Sequence, residues 1–407
     1  MIRARREELA IAFFGSWMLT GLFLDGWAHQ AEKPETFFSP WHGVLYSGFG
    51  AAVIWFGVDG IRSGERLRDA VMGPTDRLVA LGLALFVTGA VGDGIWHEIF
   101  GIEVDLEALL SPTHLLLMIG GFLMLTGPLR AALADPTERA STFRGFLPII
   151  VTVTLATALI SFFTMYLSAF FGAGTYWADG SGDDLRELTE VAGVGSILVT
   201  NVLLLTPVLF LLRRWTLPAG ACTFLFTAVG IGMTGLDGFE RVELAAPAVI
   251  AGVVADVLIA RRADTRLVGA IVPLTLWTAY FATVELSDGI EWAPELVSGS
   301  VTLAVVSGLL LAVVLSGAGV AGTRGLAVGA PEDLLARLPD GDAEEDVERV
   351  EAQRLVGARG DGDDLAVAVQ QRTALEGGAD RRVVLDASGR DIGHEALADR
   401  SARPTQT

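Results

Sequence analysis

The stretch Asp25–His29 reads Asp-Gly-Trp-Ala-His, and it is followed by Phe38–His42, which reads Phe-Ser-Pro-Trp-His. The same pattern returns as Asp93–Glu98 (Asp-Gly-Ile-Trp-His-Glu) and Leu110–His114 (Leu-Ser-Pro-Thr-His). Each copy lies where one long apolar run ends and the next begins. Together the two copies contain four of the five histidines of the chain. The pattern therefore predicts paired membrane helices with a polar site at one end of each pair.

The spacing within each copy predicts which side chains meet. Residues four apart on an α-helix share a face, so Asp25 should lie beside His29, and Asp93 beside His97. A Ser-Pro pair then predicts the start of the next helix, because serine is a good N-cap and proline suits the first helical position. This places His42 and His114 in the opening turns of those helices. Each helical hairpin should therefore bring one carboxylate and two imidazoles together.

The composition predicts a polytopic membrane protein. The chain has 407 residues, of which 52% are hydrophobic, and its mean hydropathy is +0.51, which is too apolar for an ordinary soluble domain. The net charge of −19 is concentrated in loops and tail, since residues 331–407 carry 18 Asp and Glu against 10 Arg. Such acidity disfavours nucleic-acid binding. The single lysine, Lys33, against 28 arginines is typical of a GC-rich or salt-adapted source.

Ten apolar runs approach the roughly 20 residues that a helix needs to cross a bilayer. We therefore expect an all-α integral membrane protein with about ten transmembrane helices, built from repeated helical hairpins and contacting the lipid bilayer. Residues 1–321 should form this domain, and residues 322–407 should form an acidic, mostly disordered cytoplasmic tail. The ten runs lie at 9–28, 41–61, 78–97, 112–134, 146–171, 191–212, 218–236, 244–260, 266–286 and 296–320.

Arginine alternates with acid along the connections between these runs, which predicts the orientation by the positive-inside rule. Arginine-rich connections alternate with acidic or neutral ones through the whole domain. Both termini should therefore be cytoplasmic in a multi-pass protein of the cell membrane, and both Asp/His motifs should face outward. The arginines that set this orientation include Arg3, Arg5, Arg6, Arg62, Arg66, Arg68, Arg77, Arg130, Arg139, Arg144, Arg213, Arg214, Arg261, Arg262 and Arg266.

A degenerate form of the motif follows the seventh and ninth runs. Asp237 and Asp288 each precede a glycine, but Arg241 and Trp292 occupy the place of the histidine. The chain thus resembles a serial duplication of one hairpin in which the first two copies keep the polar ligands.

Two imidazoles and one carboxylate form a ligand set that suits Cu(II), Zn(II) or non-haem Fe(II). A bound cation would also offset the cost of an aspartate at the membrane boundary. The alternative is that the histidines are interfacial polar residues that hydrogen-bond across the loop. Helix capping explains the Asp-Gly and Ser-Pro pairs but does not explain the recurrent histidines. The predicted metal ligands are Asp25, His29, His42, Asp93, His97 and His114.

The first copy, Asp25-x3-His29-x12-His42, resembles the copper-binding motif in the C subunit of particulate methane monooxygenase and ammonia monooxygenase. The resemblance covers about 18 residues, and it implies copper ligation by these three side chains, oxygenase-like redox chemistry and other membrane subunits as partners. In the second copy sixteen residues separate His97 from His114. Its assignment rests on the internal repeat.

Other functions remain open at the level of sequence. A membrane-embedded zinc hydrolase acting on lipid would use the same ligands to activate water, with Ser39 or Ser111 as possible helpers. A metal transporter would be expected to place polar residues near the bilayer midplane, whereas these motifs lie at the helix ends. A b-type haem protein would need histidines facing each other within the bilayer. Whether the triads bind one dinuclear centre or two separate ions is also open.

Overall fold

The computed structural model describes residues 2–33, 39–62, 74–101, 105–134, 143–171, 183–287, 289–317, 381–385 and 391–396. It divides into two compact units, Met1–Leu326 and Ala327–Thr407. The first unit is helical throughout its described part, as the sequence predicts.

Twelve α-helices form the described part of this first unit. Short 3-10 turns at Met165–Leu167 and Val242–Ala245 connect some of them. The helices are α1 (Ile2–Gln30), α2 (Pro40–Arg62), α3 (Pro74–Phe100), α4 (Asp105–Leu110), α5 (Pro112–Leu125), α6 (Gly127–Ala134), α7 (Phe143–Phe163), α8 (Asp183–Leu212), α9 (Ala221–Gly235), α10 (Ala246–Ala260), α11 (Thr265–Ser287) and α12 (Pro294–Gly317).

Within the described residues, eight helical segments are long and apolar enough to cross a membrane by length and composition. Helix α9 is apolar but has only 15 residues, so it is not counted among the eight, and α2 is not among them either. Each of the ten predicted runs contains a helix, so the prediction of apolar helices is confirmed. The number of membrane crossings stays a prediction.

Helices adjacent in sequence pack as antiparallel pairs, α1 with α2 and α3 with α5, and α7 packs against both α1 and α5. A glycine permits each close approach. A Cβ atom at Gly21 would collide with the backbone of Leu45, and one at Gly89 would lie 3.0 Å from the backbone nitrogen of Leu117. Gly21 and Gly89 each precede their motif aspartate by four residues, and each leucine follows its histidine by three. The two hairpins therefore make the same contact at the same sequence offsets, while the duplication itself stays a prediction.

Buried polar groups hold the second half of the bundle together. Asn201 on α8 accepts a hydrogen bond from Nε1 of Trp277 on α11 and donates to the carbonyl of Ala304 and the hydroxyl of Ser307 on α12. Because Asn201 and Trp277 are fully buried, satisfying their polar atoms avoids a large desolvation cost. This network links three helices away from both Asp/His motifs.

Asp256 in α10 is a carboxylate within the predicted apolar run 244–260, and its contacts explain why it lies there. It accepts hydrogen bonds from the backbone nitrogens of Cys222 and Thr223 and from the Thr223 hydroxyl. These are the first residues of α9, where backbone N–H groups lack helical partners. Asp256 therefore caps the start of a neighbouring helix.

The second unit contains one described element, an antiparallel pair of strands. Strand β1 (Arg381–Leu385) pairs with β2 (Asp391–Ala396), with an irregularity between Val384 and Leu385. The prediction of a mostly disordered tail concerns residues that lie largely outside the described part of the chain.

Candidate metal centre

The six predicted ligands gather into two triads, each at one end of a helical hairpin. Helix α1 positions Asp25 and His29 in its last two turns, and α2 supplies His42. Helix α3 positions Asp93 and His97, and α5 supplies His114. The predicted pairing of three side chains from two helices is thus observed in both hairpins.

In the second triad the aspartate lies between the two imidazoles. Nε2 of His97 lies 3.4 Å from Oδ2 of Asp93, and Nε2 of His114 lies 3.3 Å from Oδ1. Within the part of the chain that the structure describes, only these three residues form a group whose ligand atoms all lie within 4.8 Å of one another. Asp93 is fully buried, while His97 and His114 are partly buried. This triad is the best-formed candidate metal site.

The first triad has the same arrangement but is more open. Oδ2 of Asp25 lies 3.6 Å from Nε2 of His29 and 3.5 Å from Nε2 of His42. The side chain of Asp25 is 14% exposed, against 1% for Asp93. The His29 and His42 ring centroids are 6.4 Å apart, against 6.0 Å for the second pair of histidines.

The Ser-Pro sequences start the partner helices as predicted, and each serine also holds the histidine. Oγ of Ser111 accepts a hydrogen bond from the backbone nitrogen of His114 and lies 2.9 Å from its Nδ1 atom. Ser39 makes the same two contacts with His42, at 3.2 Å and 3.0 Å. Because the serine engages Nδ1, the Nε2 atom of each histidine faces the aspartate. Such outer contacts orient the imidazole of a metal ligand.

Thr113 and the backbone carbonyl of Gly101 each contact a side chain of the second triad. The Thr113 hydroxyl donates to Oδ1 of Asp93 at 3.0 Å, and Nδ1 of His97 lies 3.2 Å from the Gly101 carbonyl oxygen. The repeated motif does not include Thr113, because the first copy has Trp41 at that position. A threonine beside a buried aspartate is recognisable only once the helix pairing is known.

The geometry separates the two oxygens of Asp93. Oδ1 accepts from Thr113, whereas Oδ2 is buried and has no hydrogen-bond partner among the described residues. Burying a carboxylate oxygen that accepts no hydrogen bond is costly. An ion held between Oδ2 and the Nε2 atom of His97 would remove that cost.

The ligand-atom spacing also fits an ion. Two ligand atoms bound about 2.0 to 2.2 Å from one ion at tetrahedral angles lie roughly 3.3 to 3.6 Å apart. The four Asp–His separations of 3.3 to 3.6 Å match this spacing, but only in the second triad do all three ligand atoms also lie within 4.8 Å of one another. A charge-assisted hydrogen bond would bring these atoms to about 2.7 to 2.9 Å.

The acidic loop after α9 contacts α1 near the end that carries the first triad. A Cβ atom at Gly238 would lie 3.3 Å from Nε1 of Trp27, two residues before His29. Burial and the nearby Glu240 carboxylate raise the pKa of Asp237, although Arg241 opposes the shift. Asp288, the aspartate of the other degenerate copy of the motif, lies outside the described residues.

Comparison of the chain with family models, curated proteins and solved structures finds no match.

Proposed function

We propose that this chain is an integral membrane protein of about ten transmembrane helices that binds metal at two Asp/His/His triads on its extracytoplasmic face. Copper is the first choice, and the expected activity is oxygenase-like redox chemistry within a complex of membrane subunits. Zinc and non-haem iron are the alternative ions. The observation that carries the proposal is the buried Oδ2 atom of Asp93, which has no hydrogen-bond partner among the described residues and lies 3.4 Å from Nε2 of His97.

The ligand chemistry supports a transition metal over Mg²⁺ or Ca²⁺. Each triad supplies two imidazole nitrogens and one carboxylate, whereas Mg²⁺ and Ca²⁺ prefer oxygen ligands. Three protein ligands also leave at least one coordination position open. An open position is what distinguishes catalytic from purely structural zinc sites, and the same reasoning applies to copper and iron.

The resemblance of the first triad to the copper motif of particulate methane and ammonia monooxygenases supports copper and a redox role. A redox role requires the metal to change oxidation state, which zinc cannot do. The identity of the bound metal therefore separates an oxygenase-like protein from a membrane-embedded zinc hydrolase.

Metal analysis of the purified protein tests this proposal. The metal content is measured on protein purified in nanodiscs without added metal, because Cu(II) would outcompete Zn(II) and Fe(II) at most such sites if all three were supplied. We expect two copper ions per chain in wild type and one in either His29→Ala/His42→Ala or His97→Ala/His114→Ala. Two zinc ions with lipid turnover would favour the hydrolase. A folded protein that retains no ion would refute the metal proposal.

The membrane orientation has its own test. Cys222 is the single cysteine and is fully buried, so an introduced cysteine gives an interpretable signal. A membrane-impermeant thiol reagent should label Gln30→Cys in intact cells and should label Arg214→Cys only after lysis. The reverse pattern would place both triads on the cytoplasmic side.

A further inference from the structure

The two triads open onto one chamber at the junction of the two hairpins. Asp25 and His42 of the first triad and His114 of the second line the same cavity of about 40 Å³. Helices α1, α2, α3, α5 and α7 all contribute to its wall. Stacking of Phe49 on Phe86, with ring centroids 4.4 Å apart, holds α2 against α3 beside it.

The size of the chamber limits what it can hold. A cavity needs roughly 10 to 15 Å³ of such volume for one water molecule. The chamber therefore has room for a few water-sized units, or for one diatomic or linear triatomic molecule. It is far smaller than the several hundred cubic ångströms of a typical pocket for an organic ligand.

Tyr46 gives this chamber a polar group that belongs to neither triad. Apart from the three triad residues, the residues that line the chamber are apolar except for Tyr46. Its ring stacks on His42, with centroids 6.1 Å apart and an angle of 12° between the planes. The equivalent position of the second hairpin, four residues after the histidine, is Met118, so the phenol occurs on one side only.

Charge couples the two triads across the chamber. His42 of the first triad and His114 of the second line the same small cavity, so charge on one triad acts on the other across a region with little water. An ion in either triad would therefore act on the ligands of the other. A small anion between two ions would be attracted by both, because Coulomb energies are large where water is excluded.

We propose that the chamber is a single ligand site shared by both triads, which binds one small anion the size of hydroxide or azide between the two ions. The Tyr46 hydroxyl donates a hydrogen bond to that ligand. The inference rests on the proposed metal binding, and it adds that the two ions act as one centre with one exogenous ligand.

Azide binding to the copper-loaded protein tests this inference. Azide is monitored by its charge-transfer absorption on Cu(II), and the copper content is measured on the same samples. We expect one azide per two copper ions in wild type. Tyr46→Phe should weaken azide binding about tenfold, the equivalent of one hydrogen bond to a charged partner. Met118→Leu, the matched change in the other hairpin, should leave the affinity unchanged.

A second variant enlarges a side chain that lines the chamber, on a helix that carries no triad residue. Leu159 on α7 lines the chamber and is buried. Leu159→Phe should retain two copper ions and lose most azide binding. One azide per copper ion, or full azide affinity in both Tyr46→Phe and Leu159→Phe, would overturn the shared site and leave metal binding standing. A protein without copper would overturn both.

Discussion

Nε2 of His114 lies 3.3 Å from Oδ1 of Asp93, although the two residues belong to different helices. The contact joins the start of α5 to the last turns of α3, and Ser111 fixes it from the opposite edge of the imidazole. The metal site of the second hairpin therefore depends on how the two helices are aligned along their axes.

Replacing Asp93 by asparagine tests the central carboxylate. Asp93→Asn keeps the size of the side chain and an oxygen that can accept from Thr113, but it removes the negative charge that would hold an ion. We expect the affinity of the second triad for copper to fall by more than about 100-fold, since loss even of outer contacts costs 10 to 100-fold. Equilibrium dialysis with metal analysis measures this affinity.

Asp25→Asn is the matched change in the first triad. It should remove one ion and leave the second triad loaded. If Asp93→Asn retained two tightly bound ions, the assignment of Asp93 as a ligand would be wrong.

The contact between Ser111 and His114 should increase the metal affinity of the second triad, although Ser111 is not itself a ligand. Ser111→Ala removes both the cap of α5 and the hydroxyl beside Nδ1 of His114. We expect copper binding at this triad to weaken 10 to 100-fold and the protein to lose about 0.5 to 2 kcal/mol of stability.

Ser111→Thr is the conservative control, because threonine keeps both the hydroxyl beside His114 and the cap of α5. It should restore most of the copper affinity. Equal affinities in the alanine variant and in wild type, measured by competition with a chelator, would show that Ser111 acts only as a cap.

The close contact at Gly21 predicts that a larger residue there weakens metal binding at the first triad. Gly21→Ala places a methyl group against the backbone of Leu45, so α1 and α2 must move apart at a cost of about 1 to 3 kcal/mol. We expect a lower Tm in detergent and weaker copper binding at the first triad only.

Gly50 on α2 provides the control, because a Cβ atom there meets nothing within 4 Å. Gly50→Ala should be neutral or stabilise the protein by up to about 1 kcal/mol, as expected for alanine in a helix. A similar Tm loss in both variants would mean that the Gly21 contact is unimportant.

Asp256 should affect stability without affecting metal. Asp256→Ala leaves the backbone nitrogens of Cys222 and Thr223 without their acceptor, at a cost of about 1 to 3 kcal/mol. We expect a reduced Tm with two copper ions still bound. Loss of metal in a folded Asp256→Ala protein would indicate that the second half of the bundle supports the triads directly.

The sequence predicted the parts of the site that depend on local spacing. Asp25 lies beside His29 because residues four apart share a helical face, and Ser39 caps α2 because serine and proline have strong positional preferences. Contacts between distant residues were not predictable in this way. Asp256 lies 34 residues from Cys222, and nothing near it in the chain indicates which helix it caps.

The repeated motif also did not predict that the two triads differ in burial. Both copies have the same ligand types, yet Asp93 is far more buried than Asp25 and has Thr113 as a neighbour. Burial depends on which helices surround each hairpin. The sequence of one hairpin does not show which other helices pack around it. The shared chamber beside Tyr46 arises in the same way, from the packing of both hairpins against α7.

The glycine contacts between paired helices have a mechanical consequence. Since only a hydrogen atom separates the backbones at Gly21, neither helix can slide past the other without steric overlap, and the hairpin is locked at one register. An ion bound by both Asp25 and His42 would also link α1 to α2, one helical turn beyond Gly21. Bundle rigidity and ion occupancy would then rise and fall together, so that stripping the ion loosens the outer rim of the protein.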